Sequence, residues 1–169
     1  PWPEAERRAA GDAVFAILDD PSYRPLFAEG SRAEVAVAGR LEIKGETRLI
    51  SGKIDRLAVT RDAVLIVDYK TNWLGPRDEP LTAASYHPMA LDAAMGHSDY
   101  PLQALLYAAV LHRFLRWRQP GYDPEQHLGG VLYLYLRGMC GPATPLVDGE
   151  PCGVFTWRPP VALVEALSD

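Results

Sequence analysis

Two runs of β-branched and apolar residues near the middle of the chain are separated by only a short polar segment. The runs are residues 48–59 and 63–68, and their composition favours two strands. A four-residue loop at 60–63 would join them as a hairpin in which Val59 lies opposite Val64. Such a register fixes which residues of the two strands share a face of the sheet.

Two carboxylates face each other in this register. Counting back from the loop places Asp55 directly opposite Asp68, and cross-strand partners have Cβ atoms roughly 4.5–5.5 Å apart. Like charges at that distance repel and destabilise a sheet. Lys70 lies two residues after Asp68 and therefore projects to the same face. Mg²⁺ prefers oxygen ligands and would turn the repulsive pair into a metal site, so the pattern indicates metal-assisted phosphodiester hydrolysis with Lys70 beside the metal.

A simpler interpretation of the same residues involves no catalysis. Lys70 would form a salt bridge with Asp68 at an exposed strand end, since structural ion pairs are frequent on protein surfaces. A shift of one residue in the strand register would also turn Asp55 to the opposite face of the sheet. A third element is needed to decide between these interpretations.

The third element is a long helix predicted at residues 100–118. Leu106, Val110 and Phe114 recur at helical spacing and predict a buried stripe. Gln103 and Tyr107 are four residues apart and lie at the head of that stripe. Their amide and phenol groups either cap the packing of the helix or serve a function, by donating hydrogen bonds to a DNA backbone or by positioning the lysine.

The remaining pattern mixes strands and helices. A proline-dotted stretch at 73–88 predicts an irregular loop. The other predicted helices and strands are residues 4–19, 35–37, 131–136, 154–157 and 161–167. This order indicates an α/β fold with a mixed central sheet flanked by helices. A chain of 169 residues, 48% of them hydrophobic, suits a single domain spanning residues 1–169.

Composition narrows the class of protein further. The formal net charge of −5 gives no overall basic signal for nucleic acid, although an acidic cleft that holds metal ions can still receive phosphate. No apolar run approaches the ~20 residues of a membrane span, and the first residues lack a signal-peptide pattern, so we expect a cytoplasmic protein without a membrane partner. Cys140 and Cys152 have no histidines near them, which argues against a zinc site or an Fe–S cluster.

Three motifs together resemble a known family, the RecB-type branch of the PD-(D/E)xK nucleases. The motifs, in chain order, are Gly52-x-x-Asp55, Asp68-Tyr69-Lys70 and Gln103-x-x-x-Tyr107. The segments "DYKTNWLG", "YPLQALLYAAVLHRFLRWRQPGYDPEQHLGGVLYLYLRGM" and "GVFTWRPP" are similar to the C-terminal nuclease domain of RecB, the exonuclease V beta subunit. The earlier segments "LFAEGSRAEVAVAGRL" and "SGKIDRLAVTRDAVLIVDYKTN" are closer to the nuclease domain of AddA, so the two types of sequence meet near Asn72.

The resemblance implies a restriction-endonuclease-like fold and a metal-dependent active site. Asp55 and Asp68 match the metal ligands of the family, and Lys70 matches its catalytic lysine. The backbone carbonyl of Tyr69 is the expected additional metal ligand. The implied metal is Mg²⁺, with Mn²⁺ as an alternative.

Four further residues are assigned to the site. By resemblance, Gln103 and Tyr107 match the accessory catalytic motif, and Glu34, in the preceding strand, matches an acid often found there. Trp73 follows the strand that carries Lys70, and its indole ring is a candidate for contact with DNA.

One ligand of the family pattern has no match in this sequence. The family usually has a histidine or an acid on an upstream helix that completes the metal shell, and no histidine precedes His87. The acids of the opening helix and its end are Glu4, Glu6, Asp12, Asp19 and Asp20. A ligand outside residues 1–169 would account for this departure, and metal binding by these residues alone would be weaker.

The resemblance therefore implies a magnesium-dependent deoxyribonuclease of the exonuclease V type, acting mainly on single strands in bacterial double-strand break repair and recombination. The implied partners are DNA, a helicase portion of the same polypeptide and other subunits of a RecBCD- or AddAB-type complex. The sequence contains no G-x-x-x-x-G-K-[ST] motif, so ATP-driven unwinding is expected elsewhere in the full protein. The alternatives are an inactive nuclease-like module that binds DNA or docks subunits, and a dimeric endonuclease with defined cut sites.

Overall fold

A mixed sheet forms the centre of the computed structural model, which describes residues 3–43 and 45–168. The strands are β1 Arg32–Ile43, β2 Glu46–Val59, β3 Val64–Lys70, β4 Leu128–Tyr135, β5 Leu146–Val147, β6 Glu150–Pro151 and β7 Val154–Trp157. Five of them form the sheet in the order β1-β2-β3-β4-β7, and β5 pairs only with β6. β3 and β4 run parallel, and the other neighbours in the sheet run antiparallel.

Helices cover both faces of this sheet. They are α1 Glu4–Leu18, α2 Pro88–Gly96, α3 Tyr100–Arg118, α4 Pro124–His127 and α5 Val161–Ser168. Short 3₁₀ turns occupy Arg24–Phe27, Ala83–Tyr86 and Leu136–Gly138. The predicted fold class, an α/β fold with a mixed sheet flanked by helices, is confirmed. No helix in the part of the chain that the structure describes has both the length and the apolar character needed to cross a membrane.

The hydrophobic core is divided by the sheet into two clusters. On one face, Ile66 of β3 packs in a cluster with Leu91 of α2, Leu111 of α3 and Val164 of α5. On the other face the cluster contains Ile17 of α1, Leu26, Val67, Leu134 and Met139. Ile66 and Val67 are adjacent in β3 and face opposite sides, because successive side chains of a strand alternate. Each face of the central strand is therefore buried under helices, which explains its nearly continuous apolar sequence.

The hairpin between β2 and β3 has the predicted register. The Thr60 N–H donates to the Ala63 carbonyl at 2.9 Å and closes the four-residue loop. Val59 pairs with Val64, and the paired positions continue to Arg56 opposite Val67. The predicted register is confirmed over these four pairs, which end one residue short of Asp55 and Asp68.

Some predicted element boundaries were wrong. β1 spans Arg32–Ile43 rather than residues 35–37, because pairing with the long β2 strand extends it well beyond its apolar centre. α2 was missed because the stretch before it is rich in proline; Pro88 in fact begins this helix, where a missing N–H costs little. β4 begins three residues before the predicted strand, at Leu128, and ends at Tyr135.

The predicted buried stripe of α3 was also wrong. The helix has the expected bounds, but Phe114 is 53% exposed, and Leu106 and Val110 are only partly buried. The buried side is formed instead by Ala104, Ala108, Ala109, Leu111, His112 and Leu115. Small alanine side chains let the helix lie close to the sheet, and Val110 and Phe114 are left lining an open trough beside β1 and β2.

Candidate active site

Asp55 is tied to the strand that carries the other candidate residues. Its Oδ2 accepts a hydrogen bond from the backbone N–H of Tyr69 at 2.9 Å. At Tyr69, the backbone N–H of β3 therefore donates to the side chain of β2 and not to its backbone. The hydrogen bond fixes one carboxylate oxygen beside the Asp68-Tyr69-Lys70 segment, as the hairpin register requires.

The pairing of β2 with β1, its other neighbour, is interrupted beside Asp55. β1 pairs Ala33 with Arg56 and Val35 with Ile54, and between them Glu34 has a φ of 55°. This left-handed conformation is unusual for a residue other than glycine, and it kinks β1 beside Asp55. The Glu34 carboxylate forms a 2.8 Å ion pair with Lys53, and both side chains are well exposed. Its assignment to the site stays a prediction, because in this structure its charge is balanced by Lys53 at the surface.

Asp68 and Lys70 form a buried ion pair. The Lys70 Nζ lies 2.6 Å from Asp68 Oδ2, and the two side chains are 10% and 6% exposed, respectively. The simpler interpretation predicted an ion pair at an exposed strand end. The ion pair is present, but it is buried rather than exposed. Burial raises the pKa of Asp68, the Lys70 ammonium lowers it and the Asp55 carboxylate raises it, and burial is the largest effect. A buried ion pair of this kind costs desolvation energy that packing alone does not require.

Gln103 and Tyr107 connect this ion pair to β2. Gln103 Oε1 accepts from the Lys70 ammonium at 3.3 Å, and its Nε2 donates to Tyr107 Oη at 3.4 Å. The Tyr107 hydroxyl donates in turn to the Lys53 carbonyl at 2.9 Å. Lys53 lies two residues before Asp55, so one chain of hydrogen bonds joins the lysine, the helix and the strand of the first carboxylate. These contacts match the interpretation in which the two side chains position the lysine, and their functional role stays a prediction.

Gly52 provides the space for this arrangement. A Cβ at position 52 would lie 3.1 Å from both Cε1 and Oη of Tyr107. That is tighter than an ordinary van der Waals contact, so any larger residue must push the phenol aside. In the motif Gly52-x-x-Asp55, the glycine is therefore the position where Tyr107 packs against β2, three residues before the Asp55 carboxylate.

We expect Gly52→Ala to lower any catalytic activity of this site roughly 3-fold to 10-fold, because small displacements of positioning groups are costly. The added methyl group shifts Tyr107 by a few tenths of an ångström and loosens its hydrogen bonds with Gln103 and with the Lys53 carbonyl. The matched control is Gly11→Ala in α1, where a Cβ meets nothing within 4 Å. Equal activities of the two variants would contradict the assignment.

Two other predicted residues have clear positions but untested roles. Tyr69 donates its N–H to Asp55, and its hydroxyl accepts from Arg56 Nε at 3.0 Å, so its backbone is held beside the carboxylates. Trp73 lies just beyond β3, is 45% exposed, and donates its indole N–H to the Pro76 carbonyl at 3.1 Å. Metal binding by the Tyr69 carbonyl and DNA contact by Trp73 stay predictions.

Three aromatic or amide residues of the site were missed by the sequence analysis. The Lys70 Nζ lies 3.6 Å from the centroid of the Tyr100 ring and 4.9 Å from that of Tyr133. The Tyr100 hydroxyl donates to Asn72 Oδ1 at 3.1 Å. Tyr100 was detectable, because it lies three residues before Gln103 on the same helical face. Tyr133 was not, because it reaches Lys70 only through the parallel pairing of β3 with β4.

The donor groups at this position suit a hard divalent cation. Two carboxylates and a nearby backbone carbonyl supply only oxygen, which Mg²⁺ prefers, and Mg²⁺ commonly binds one or two carboxylates plus water and phosphate oxygens. Within residues 3–43 and 45–168, no group of three or more histidine, cysteine, aspartate and glutamate side chains could hold a metal ion. The acids of α1 do not complete the set; this helix packs through Ile17 on the opposite face of the sheet.

Comparison with known proteins places the fold and the site in a family. The profile of the PD-(D/E)XK nuclease superfamily matches residues 2–150. This match covers most of the chain and includes all three motifs. The chain belongs to the PD-(D/E)XK nuclease superfamily, and its fold is restriction-endonuclease-like.

Among curated proteins the chain is similar to subunits named RecB of the RecBCD enzyme. It is 55% identical to RecB of Mycobacterium tuberculosis over 168 residues, covering 99% of this chain and 14% of that protein. It is 54% identical to RecB of Mycolicibacterium smegmatis over 148 residues, covering 88% and 13%. The Escherichia coli RecB is 36% identical over 131 residues, covering 76% and 10%. The chain thus spans about one seventh or less of these relatives, and the suggested division near Asn72 stays a prediction.

Proposed function

We propose that this domain is a metal-dependent deoxyribonuclease. The observation that carries the proposal is the buried 2.6 Å ion pair between Asp68 and Lys70, which lies beside a second carboxylate held by the Tyr69 N–H. Burying the Asp68–Lys70 ion pair costs desolvation energy, and a catalytic role would explain why the fold accepts that cost. We assign Asp55, Asp68 and the Tyr69 carbonyl as ligands of Mg²⁺, with Mn²⁺ able to replace it. When bound, such an ion polarises a phosphoryl oxygen and acidifies water.

The protein groups have separate roles in this proposal. Lys70 presents its ammonium where negative charge accumulates on the reacting phosphate, and such preorganised charge is most effective in a site shielded from water. Gln103 holds that ammonium through its amide oxygen. Tyr107 holds the amide of Gln103 and anchors it to β2 through the Lys53 carbonyl. The carboxylates and the lysine thus keep their relative positions before DNA binds.

The substrate and partners are proposed from the relatives. Their name, RecBCD enzyme subunit RecB, supports a multisubunit complex as the setting, and membership of a nuclease superfamily supports a nucleic acid, which we propose is DNA, as the substrate. We propose that the domain acts as an exonuclease mainly on single strands fed to it by a helicase portion of the same polypeptide, in bacterial double-strand break repair and recombination in the cytoplasm. Exposed Trp73, at the end of the strand that carries Lys70, is the proposed base contact.

The first test removes the metal. We expect this chain to shorten end-labelled single-stranded DNA in Mg²⁺ or Mn²⁺ and to leave it intact in the presence of a chelator. Without a bound cation, the two negatively charged carboxylates repel the phosphate groups of DNA. Digestion is followed on a denaturing gel. Ca²⁺ is tested as a further ion, because it also binds oxygen ligands but with a larger and more variable coordination geometry than Mg²⁺. Equal digestion with and without chelator would contradict the proposal.

A second candidate function is an inactive nuclease-like module that binds DNA or docks subunits. The observation that favours it is the absence, among the described residues, of a third acidic or histidine ligand. A module of this kind would bind DNA without cleaving it at any Mg²⁺ or Mn²⁺ concentration. Cleavage that saturates with metal would exclude it.

A further inference from the structure

The Lys70 ammonium is enclosed by three different kinds of partner. Asp68 Oδ2 lies at 2.6 Å, Gln103 Oε1 lies at 3.3 Å, and the Tyr100 ring centroid lies at 3.6 Å. An ammonium has three N–H donors, so a carboxylate, an amide oxygen and an aromatic face together can satisfy it. The ring supplies the one partner in this set that carries no formal charge and no lone-pair acceptor.

We propose that Tyr100 is a positioning residue for Lys70, and that it acts through the π face of its ring rather than through its hydroxyl group. This proposal rests on the proposed nuclease function, because it assigns the ring a part in holding the catalytic ammonium. A cation over an aromatic face is attracted by the ring quadrupole, and the attraction is stronger where water is excluded. Lys70 meets that condition, since its side chain is only 10% exposed.

Tyr100 is itself held on three sides. Its hydroxyl donates to Asn72 Oδ1 at 3.1 Å, and its backbone carbonyl accepts from the Tyr133 hydroxyl at 2.7 Å. The Tyr100 and Tyr133 rings stack with centroids 5.7 Å apart and an interplanar angle of 23°. Asn72 is in turn fixed by Tyr86, whose hydroxyl donates to the Asn72 carbonyl at 2.7 Å. The ring beneath Lys70 is therefore preorganised by packing, and loss of the hydroxyl removes only one of these contacts.

A role of the Tyr100 ring and a role of its hydroxyl lead to different expected results for two variants. We expect Tyr100→Phe to keep single-turnover cleavage within about twofold of the unaltered chain, and Tyr100→Leu to lower it roughly 10-fold, because leucine fills the space without a quadrupole. The dissociation constant for single-stranded DNA, measured in chelator, should change little in either variant, since the ring holds Lys70 and not the strand. A purely structural role would lower binding and cleavage together.

A fluorinated series separates electrostatics from packing. Phenylalanine with one, two and three ring fluorines at position 100 keeps nearly the same shape while its π face becomes progressively less negative. We expect the cleavage rate to fall stepwise along the series towards the Tyr100→Leu value. A rate that stays constant along the series would overturn the proposal even if Tyr100→Leu is inactive.

The contact itself can be measured without catalysis. The sequence has three lysines, Lys44, Lys53 and Lys70, so isotopic labelling of lysine gives three sets of side-chain signals, and Lys70→Arg assigns one of them. We expect the ε-CH₂ protons of Lys70 to be shifted upfield by the Tyr100 ring in the unaltered chain and in Tyr100→Phe, and to lose most of this shift in Tyr100→Leu, where only the more distant Tyr133 ring remains. Thermal unfolding of each variant checks that the fold is retained.

The two measurements distinguish failure of this proposal from failure of the proposed function. An upfield signal in a chain that cleaves no DNA under any metal would contradict the nuclease function and, with it, a catalytic purpose for the contact. Normal cleavage with no ring-shifted lysine signal would overturn the role of Tyr100 alone. A ring-shifted signal with a stepwise fall in rate supports both.

Discussion

Replacing Lys70 with alanine is expected to lower metal-dependent DNA cleavage by about 100-fold or more, the usual effect of removing one preorganised charge or donor from an active site. Lys70 has the ion pair with Asp68, the hydrogen bond to Gln103 and the contact with the Tyr100 ring. The rate is measured under single-turnover conditions with saturating metal, so that weakened metal binding does not account for the loss.

The same replacement leaves Asp68 buried without its cation. Removing one partner of a buried pair costs about 3 kcal/mol in the free energy of unfolding, and Asp68, whose pKa burial already raises, takes up a proton more readily. Lys70→Arg separates folding from catalysis, because it keeps the positive charge but not the compact ammonium. We expect this variant to recover stability but little activity. Arg48→Ala is the control for loss of a cation, since its ion pair with Glu46 is exposed. Substantial cleavage by Lys70→Ala would contradict the assigned role.

The second large effect is expected for Asp55→Asn, which should abolish metal-dependent cleavage while slightly stabilising the metal-free domain. Asparagine keeps an oxygen that can accept from the Tyr69 N–H, but it removes one of the two negative charges that we propose bind the metal. Removal of the repulsion with Asp68 is worth about 0.5 kcal/mol, in the range of cross-strand charge pairs. Opposite effects on activity and stability are typical of residues selected for function.

Urea unfolding in chelator and in Mg²⁺ tests this expectation. The unaltered chain should gain stability from Mg²⁺, because an ion that binds only the folded state stabilises it. Asp55→Asn should lose most of that gain while being at least as stable as the unaltered chain in chelator. The control is Asp62→Asn, an exposed acid in the hairpin loop. A variant that is destabilised in chelator and still gains stability from Mg²⁺ would show that Asp55 is a structural residue.

Local patterns in the sequence predicted the elements that carry the site. The turn signal after Val59 predicted the hairpin register, since the short loop leaves little freedom in the pairing of the two strands. The bounds of α3 followed from its uninterrupted helical pattern between Asp99 and Gln119. The spacing of Gln103 and Tyr107 likewise predicted that their side chains share one face.

The orientation of α3 was not predictable from the same pattern. Two apolar stripes compete on this helix, one with Phe114 and one with Ala104, Ala108 and Leu111. Periodicity gives both stripes similar weight, and hydrophobicity favours the larger residues of the first. The second is buried because alanines allow close approach to the sheet, a property of the packed pair of elements and not of the helix sequence.

The sequence by itself determined the hairpin, its register and the position of Lys70 two residues after Asp68, because strand alternation and short-loop closure are local rules. Only the tertiary structure decided how deeply the ion pair is buried, which aromatic ring lies against Lys70, and how Tyr107 reaches the Lys53 carbonyl. These contacts join residues that are far apart in the chain. They depend on the parallel pairing of β3 with β4 and on the depth at which α3 packs, and both result from the sum of many weak contacts rather than from any one motif.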